Sequence, residues 1–177
     1  MLRAVRHVYV PNADVGERLA KHVSDLPTIV MPHPEPTIGR RVAARHEPGE
    51  RLRVIALGGI GVHKGFEVLV RCAEDAGARA LPLEFVVVGH TCDTPRATRA
   101  GIRVTGAYED NAEATEVIER IGGHVAFFPA VWPETYSYTL SLALSAGLYP
   151  VSFAFGAIAE RLRTLDVGLL LPLDTMT

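Results

Sequence analysis

The chain of 177 residues is long enough for one compact domain with a short appendage. Hydrophobic residues make up 48% and charged residues 21%, a balance that supports a sizeable core and excludes general disorder. Lysine and arginine total 18 against 20 acidic residues, so the basic excess of a dedicated nucleic-acid binder is missing. Cys72 and Cys92 are too few for a disulfide scaffold and lack the paired spacing of a zinc site, so we expect reduced thiols.

The sequence shows neither a signal peptide nor a membrane-spanning segment. Its first ten residues contain basic side chains, but no apolar stretch follows them. The most apolar stretch, residues 140–159, is interrupted by Gly147, Pro150 and Gly156. We therefore interpret this stretch as a helix, a turn and a strand within a core.

The first 50 residues hold six of the twelve prolines. Asp14 with Glu17 three residues later has the pattern of a capping box and predicts a short helix to about residue 22. Prolines at positions 32, 34 and 36 exclude a helix there and favour an extended connector. We interpret residues 1–50 as the end of another domain with a linker, and residues 51–177 as one domain.

From about residue 51 onward, short apolar runs alternate with helical segments. The runs lack polar alternation, as expected of strands covered on both faces. They predict strands at residues 53–57, 84–88, 102–105, 125–128, 150–153 and 167–171. Apolar residues at helical spacing predict helices at residues 64–76, 113–121, 136–146 and 157–163. We interpret Arg96, Arg99 and Arg103 as a solvated turn. The alternation predicts an α/β fold, a Rossmann-like doubly wound parallel sheet.

In such a sheet, ligands bind beyond the carboxyl ends of the strands, where helix N-termini also point. The segments that leave the predicted strands are residues 58–65, 89–93, 106–110, 129–134 and 154–156. They contain several glycines, the lysine Lys64 and the carboxylate Glu134. We therefore expect a ligand site at this edge of the sheet.

The first of these segments contains Gly58, Gly59, Gly61 and then Lys64-Gly65. Glycines after a strand let the backbone approach a ligand and expose N–H donors, and a lysine beside a helix N-terminus suits a diphosphate. The segment lacks the Lys-Ser/Thr ending of a P-loop, and its glycine spacing does not fit the dinucleotide fingerprint. A tight turn with a solvated lysine is the structural alternative.

The second informative segment surrounds Glu134, which stands between a strand and a helix among aromatic neighbours. A carboxylate there can accept hydrogen bonds from sugar hydroxyls; alternatively, it merely complements the helix dipole. For Trp132, Tyr136 and Tyr138 we favour a place in the core or the wall over ligand contact.

Several motifs in order and spacing carry a family resemblance. They are Gly58 with Lys64-Gly65, Phe85 to Gly89, Val104-Thr105-Gly106, Trp132-Pro133-Glu134 through Gly147 to Pro150-Val151, and Phe155 to Arg161. Over about residues 52–172 the sequence resembles the nucleotide-sugar-binding half of GT-B glycosyltransferases of family 4 (group 1). Residues 5–36 resemble the end of such an enzyme's N-terminal domain and its linker. The resemblance implies that the N-terminal acceptor-binding domain is missing and that this chain, as an excised fragment, is inactive alone.

The resemblance also implies roles for individual residues. Lys64 would hold the donor's diphosphate with His63 beside it, and Glu134 aligns with the first glutamate of the family's Glu-x7-Glu motif, which contacts the donor sugar. The other positions that the resemblance assigns to the donor site are Gly58, Gly59, Gly61, Gly89, His90, Gly106, Leu142, Gly156, Ala157, Ile158 and Glu160. For His90 a place as an ordinary loop histidine is the alternative.

Two positions depart from the family pattern. The second glutamate of the motif, which holds the ribose hydroxyls, falls at Leu142, and an arginine of the phosphate loop falls at Gly59. Leu142 lies eight residues after Glu134, so on a helix both could border one cleft. We hypothesise that Leu142 faces the nucleotide edge; because its neighbours are apolar, a core position is the alternative.

The family's chemistry is retaining glycosyl transfer from a nucleotide-diphospho-sugar, without a metal or a cofactor. The histidines fit that expectation, since His33 and His124 have no ligand partner at helical spacing. We expect a role in bacterial surface polysaccharide or glycolipid synthesis, in the cytoplasm, with the parent protein peripherally associated with the inner face of the membrane. The alternatives are a degenerate sugar-nucleotide or glycan-binding module, favoured by Leu142, and a nicotinamide-dependent enzyme, disfavoured by the glycine spacing.

Overall fold

A computed structural model describes residues 5–34, 46–47 and 49–176. Part of the predicted linker, including Pro36 and Pro48, lies outside these residues. The described part of the chain contains a two-stranded and a six-stranded parallel sheet. The strands are β1 (Val8–Val10), β2 (Thr28–Val30), β3 (Leu52–Ile60), β4 (Leu83–Thr91), β5 (Ile102–Val104), β6 (Val125–Phe128), β7 (Tyr149–Phe153) and β8 (Leu169–Leu171). The helices are α1 (Ala13–Ala20), α2 (Phe66–Ala78), α3 (Thr94–Arg99), α4 (Asn111–Ile121), α5 (Tyr138–Ser145) and α6 (Gly156–Leu165), followed by a 3-10 turn at Leu173–Met176.

The larger sheet has the strand order β5-β4-β3-β6-β7-β8. β3 and β4 pair over nine residues, from Leu52 opposite Leu83 to Ile60 opposite Thr91. The order runs outward from β3 in one direction and then restarts at β6 in the other. This is the order of a Rossmann-type sheet, so the predicted fold class is confirmed, and a crevice is expected where the order reverses, between β3 and β6.

Helices cover both faces of this sheet because the strands are apolar on both sides. Ile55 and Leu57 of β3 belong to a core shared with α4, α5 and α6. Val54 and Ala56, one residue out of step, belong to a second core with α2. The uninterrupted apolar runs in the sequence therefore reflect burial on two faces. Among the described helices, none is long and apolar enough to cross a membrane.

The first described segment, residues 5–34, forms a small β1-α1-β2 unit. β1 and β2 pair in parallel from Val8 opposite Thr28 to Val10 opposite Val30. The helix α1 begins two residues earlier than a capping box at Asp14 indicates, because Asn12 is its N-cap: the Asn12 side chain accepts a hydrogen bond from the Val15 N–H at 3.0 Å. The predicted Asp14–Glu17 capping box is thus wrong, although the helix itself is present.

Two further expectations need correction. β3 continues to Ile60, so Gly58 and Gly59 are strand residues rather than the start of a loop. Arg96 and Arg99 lie in α3 instead of a solvated turn, and the Arg96 guanidinium donates to both carboxylate oxygens of Glu67 at 2.6 and 2.7 Å. That contact holds the pKa of Glu67 below its usual value.

Both cysteines are free thiols, in line with the prediction. Cys72 is half-buried, and desolvation raises the pKa of its thiol. Cys92 is exposed at the end of β4.

The C-terminal end of α2 offers a simple stability test. Leu81 N–H donates to Ala76 O and Ala80 N–H to Gly77 O, the two bonds of a Schellman motif, and Ala80 has φ of 50°. Because this left-handed position favours glycine, Ala80→Gly is expected to raise the free energy of unfolding by about 1 kcal/mol. Ala112→Gly, at an exposed position inside α4, is the matched control and should lower it by up to about 1 kcal/mol. Urea unfolding of both variants checks the opposite signs.

Candidate functional site

Three glycines lie side by side at the carboxyl edge of the sheet. Gly58 of β3 is paired with Gly89 of β4, and Gly106 N–H donates to Gly89 O at 2.9 Å. A methyl group on Gly89 would lie 2.1 Å from Gly58 O, so only glycine fits there. A methyl group on Gly106 would meet no atom of the described residues within 4 Å, so the space above it is open. These three residues form a floor of bare backbone at the predicted ligand edge.

The loop after β3 is a compact turn that presents Lys64. Both Lys64 N–H and Phe66 N–H donate to Gly61 O at 3.1 Å. Gly65 is the N-cap of α2 with φ of 81°, and its position against Pro129 O excludes any side chain. Lys64 therefore stands immediately before the positive end of a helix, as the sequence predicts.

Lys64 and Glu134 meet across this edge. The Lys64 ammonium lies 3.4 Å from the Glu134 carboxylate, and their side chains are 32% and 15% exposed. Both line a cleft of about 450 Å³, together with His63, Trp132 and residues 135–139. Two segments separated by about seventy residues thus place one cation and one anion at the crevice beside β3 and β6, an arrangement that suits a ligand carrying both phosphate and hydroxyl groups.

The three aromatic residues near Glu134 differ in exposure. Trp132 is 60% and Tyr138 is 70% exposed, and both line the cleft, whereas Tyr136 is buried. The His63 ring meets the Trp132 ring edge at 6.3 Å between centroids, and Val131 N–H donates to His63 O. Trp132 and Tyr138 therefore belong to the wall of the cleft rather than to the core.

The start of α6 contacts the Glu134 loop through its backbone. Gly156, Ala157 and Ile158 are buried, and Ala157 N–H donates to Glu134 O at 3.2 Å. This donor holds the protein's own loop. Glu160 lies away from this cleft. Its carboxylate accepts a hydrogen bond from Ala13 N–H at 3.3 Å, and the residue lines a separate cavity of about 170 Å³ between α6 and residues of the first unit such as Asn12 and Val30.

Leu142 lies in the core, so its assignment to the nucleotide edge is wrong. Its side chain is 4% exposed and belongs to the core formed with α4 and α6. The physical reason is that α5 begins only at Tyr138, so the eight residues from Glu134 to Leu142 do not follow one helix. His90 is exposed on β4, and its imidazole lies over Gly59, where a Cβ would be 2.8 Å from Nε2.

Two residues near the glycines, Thr139 of the cleft and Tyr108, are not singled out by the sequence. A methyl group on Gly58 would lie 3.2 Å from Thr139 Cγ2 and 3.8 Å from the Tyr108 hydroxyl, so both side chains stand over the glycine floor. Burial raises the pKa of the Tyr108 hydroxyl above its ordinary value. Within the described ranges, no group of three histidine, cysteine or carboxylate side chains could hold a metal ion.

The fold is similar to that of several proteins of known structure. No protein-family model matches the sequence, and no curated protein matches it. The fold resembles that of the GtfA/B complex (TM-score 0.58, 19% identity, 96% of this chain and 34% of that one). It also resembles the pneumococcal O-GlcNAc transferase GtfA in complex with UDP and GlcNAc (TM-score 0.62, 16% identity, 95% of this chain and 34% of that one). A third similar structure is WaaG, a glycosyltransferase involved in lipopolysaccharide biosynthesis (TM-score 0.63, 14% identity, 93% of this chain and 49% of that one).

The chain spans a third to a half of the length of these proteins. At these identities the likeness establishes the fold alone: a Rossmann-like α/β domain that matches one half of the GT-B fold, as the sequence resemblance predicts.

Proposed function

We propose that this chain is the nucleotide-sugar-binding part of a glycosyltransferase. The observation that carries the proposal is the Lys64–Glu134 pair, 3.4 Å apart in an open cleft beside the strands where the sheet order reverses. A diphosphate would replace the carboxylate as the partner of the Lys64 ammonium. The Glu134 carboxylate would then accept hydrogen bonds from sugar hydroxyls. The complex of the pneumococcal O-GlcNAc transferase with UDP and GlcNAc supports this ligand class.

In the proposed reaction, the bond between the anomeric carbon and the diphosphate oxygen breaks while a bond to an acceptor oxygen forms. The proton of the acceptor hydroxyl passes to an oxygen of the departing diphosphate. Lys64 and the N-terminus of α2 would stabilise the negative charge that develops on the departing nucleoside diphosphate. We propose retention at the anomeric carbon and chemistry without a metal. The acceptor would come from a further domain, because proximity of donor and acceptor supplies several kcal/mol of catalysis.

We also propose a place in bacterial surface polysaccharide or glycolipid synthesis at the cytoplasmic side of the membrane. The likeness to WaaG, a glycosyltransferase involved in lipopolysaccharide biosynthesis, supports this proposal. Binding without catalysis is a second candidate function. It is favoured by the leucine at position 142, because the sequence lacks there the second glutamate that holds the ribose hydroxyls in the family it resembles.

Calorimetric titration with a panel of nucleotide-sugars, with NAD as the negative ligand, tests the proposal. We expect binding of at least one nucleotide-diphospho-sugar and none of NAD. Lack of binding across the panel would contradict the proposed ligand class. Turnover by the full-length parent protein would then separate a transferase from a binding module.

Lys64→Ala is expected to weaken binding of that ligand by roughly 10- to 100-fold, the range for a lost hydrogen bond to a charged group. The same variant should weaken binding of a nucleoside without phosphates much less. Lys21, exposed on the first unit, is the other lysine of the chain, so Lys21→Ala is the matched control and should bind like the wild type. An equal loss for nucleoside and nucleotide-sugar would mean that Lys64 acts through folding instead of through phosphate.

A further inference from the structure

The loop that carries Glu134 is held by hydrogen bonds from outside the loop. Each of its four consecutive carbonyls, at residues 134–137, accepts a bond from another element of the molecule. The bonds run from Ala157 N to Glu134 O (3.2 Å), from Asn12 Nδ2 to Thr135 O (2.6 Å), and from Arg161 Nη1 to Tyr136 O (3.0 Å) and Ser137 O (2.7 Å). A loop without regular structure gains a fixed backbone in this way.

Arg161 provides two of these bonds from α6. Its side chain is 8% exposed, and its guanidinium lies 4.2 Å from the centre of the Tyr136 ring. Its second terminal nitrogen donates to Ser141 Oγ at 2.7 Å. The planar donor fork therefore joins the loop, the Tyr136 ring and the first turn of α5, a geometry that a lysine cannot reproduce.

Asn12 provides the bond to Thr135 from the first unit. The residue is buried, and its side chain uses both ends: Oδ1 caps α1, and Nδ2 donates to Thr135 O. A second contact runs in parallel, because the Tyr136 hydroxyl donates to Pro34 O at 3.2 Å. The unit formed by residues 5–34 is thus tied to the loop at two neighbouring residues.

We infer that Asn12 and Arg161 are positioning residues, which fix the backbone of residues 134–137 and thereby aim the Glu134 carboxylate into the cleft. Ser137 is consistent with such a constraint, since it has a left-handed φ of 73° and is one of the residues that Arg161 holds. Only the identity of the ligand in this inference rests on the proposed function. The inference also couples residues 5–34 to the cleft: a ligand that orders the loop strengthens the docking of the first unit by the same factor as docking strengthens ligand binding.

Asn12→Ser removes the hydrogen bond from Asn12 Nδ2 to Thr135 O but keeps an N-cap for α1. Serine remains a good N-cap for α1, but its short side chain does not reach Thr135 O. The readout without ligand is amide hydrogen exchange at Ala157, whose N–H donates to Glu134 O and belongs to the unpaired first turn of α6. We expect about tenfold faster exchange at Ala157 and unchanged exchange at Val86 in the sheet core. Asp110→Ser, which likewise exchanges one good cap for another at α4, should alter neither amide.

In binding measurements, Asn12→Ser should weaken the affinity for a nucleotide-diphospho-sugar by about tenfold and that for the nucleoside diphosphate by less than twofold. The reason is that only the sugar would contact Glu134. Arg161→Lys should shift the same ratio in the same direction. Unchanged exchange at Ala157, or an equal loss of both ligands, would overturn the inference. If the wild type binds neither ligand, the proposed function fails, while the exchange rates still decide whether Asn12 holds the loop.

Discussion

Leu142→Glu is expected to lower the free energy of unfolding by about 4 kcal/mol, because it places a carboxyl group where the structure provides an apolar environment. Leu142 is 4% exposed, and its neighbours Ala143 and Leu144 on α5 are fully buried. The introduced carboxyl group would have a raised pKa in the folded state. Its cost is therefore smallest at a pH below the pKa of a glutamate in the unfolded chain, and grows as the pH rises above that value.

Urea unfolding of Leu142→Glu at pH 4 and at pH 8 measures this effect and its sign. Ser145→Glu places the same carboxyl group at an exposed position of the same helix and should change stability by less than about 1 kcal/mol. Leu142→Met keeps the volume and the apolar character, so it should cost less than about 1.5 kcal/mol. Unchanged stability of Leu142→Glu combined with tighter nucleotide binding would contradict the core position and show that Leu142 lies at the edge of the cleft.

The larger elements could be predicted because their signals are local. The strand at Val125–Phe128 is an apolar run of its full length, and α2 carries a stripe of buried residues at helical spacing. The strand β2 is different: all three of its residues are exposed, so its sequence has no alternation of buried and exposed positions that would predict a strand. The extension of β3 through Gly58 and Gly59 depends on pairing with β4, which local propensity does not contain.

The candidate site could be predicted only in part, for a similar reason. Lys64 and Glu134 are expected at one edge because the carboxyl ends of parallel strands meet there. Asn12 and Thr135, by contrast, are 123 residues apart in sequence, and no spacing rule joins them. Arg161 lies in a predicted helix, where a charged residue is expected to face solvent, but the carbonyls of residues 136 and 137 give its guanidinium buried partners.

Gly65→Ala is expected to cost about 3 kcal/mol of stability, since the left-handed backbone and the close approach to β6 act together. Gly65 has φ of 81°, and a methyl group there would overlap the carbonyl of Pro129. That carbonyl belongs to the segment between β6 and Glu134, and it cannot move without shifting the loop. The variant should therefore also disturb the position of Lys64 relative to Glu134.

Gly61→Ala is the matched control in the same turn. Gly61 does not have a left-handed φ, and the nearest atom to an added methyl group is His63 Cε1, in ordinary contact at 3.6 Å. It should change the free energy of unfolding by less than about 0.5 kcal/mol. Urea unfolding measures the stability of both variants, and calorimetry measures their nucleotide-sugar affinity. Equal stability of the two variants would show that Pro129 yields to a methyl group, and that the contact between Gly65 and Pro129 does not hold the Lys64 loop against the Glu134 loop.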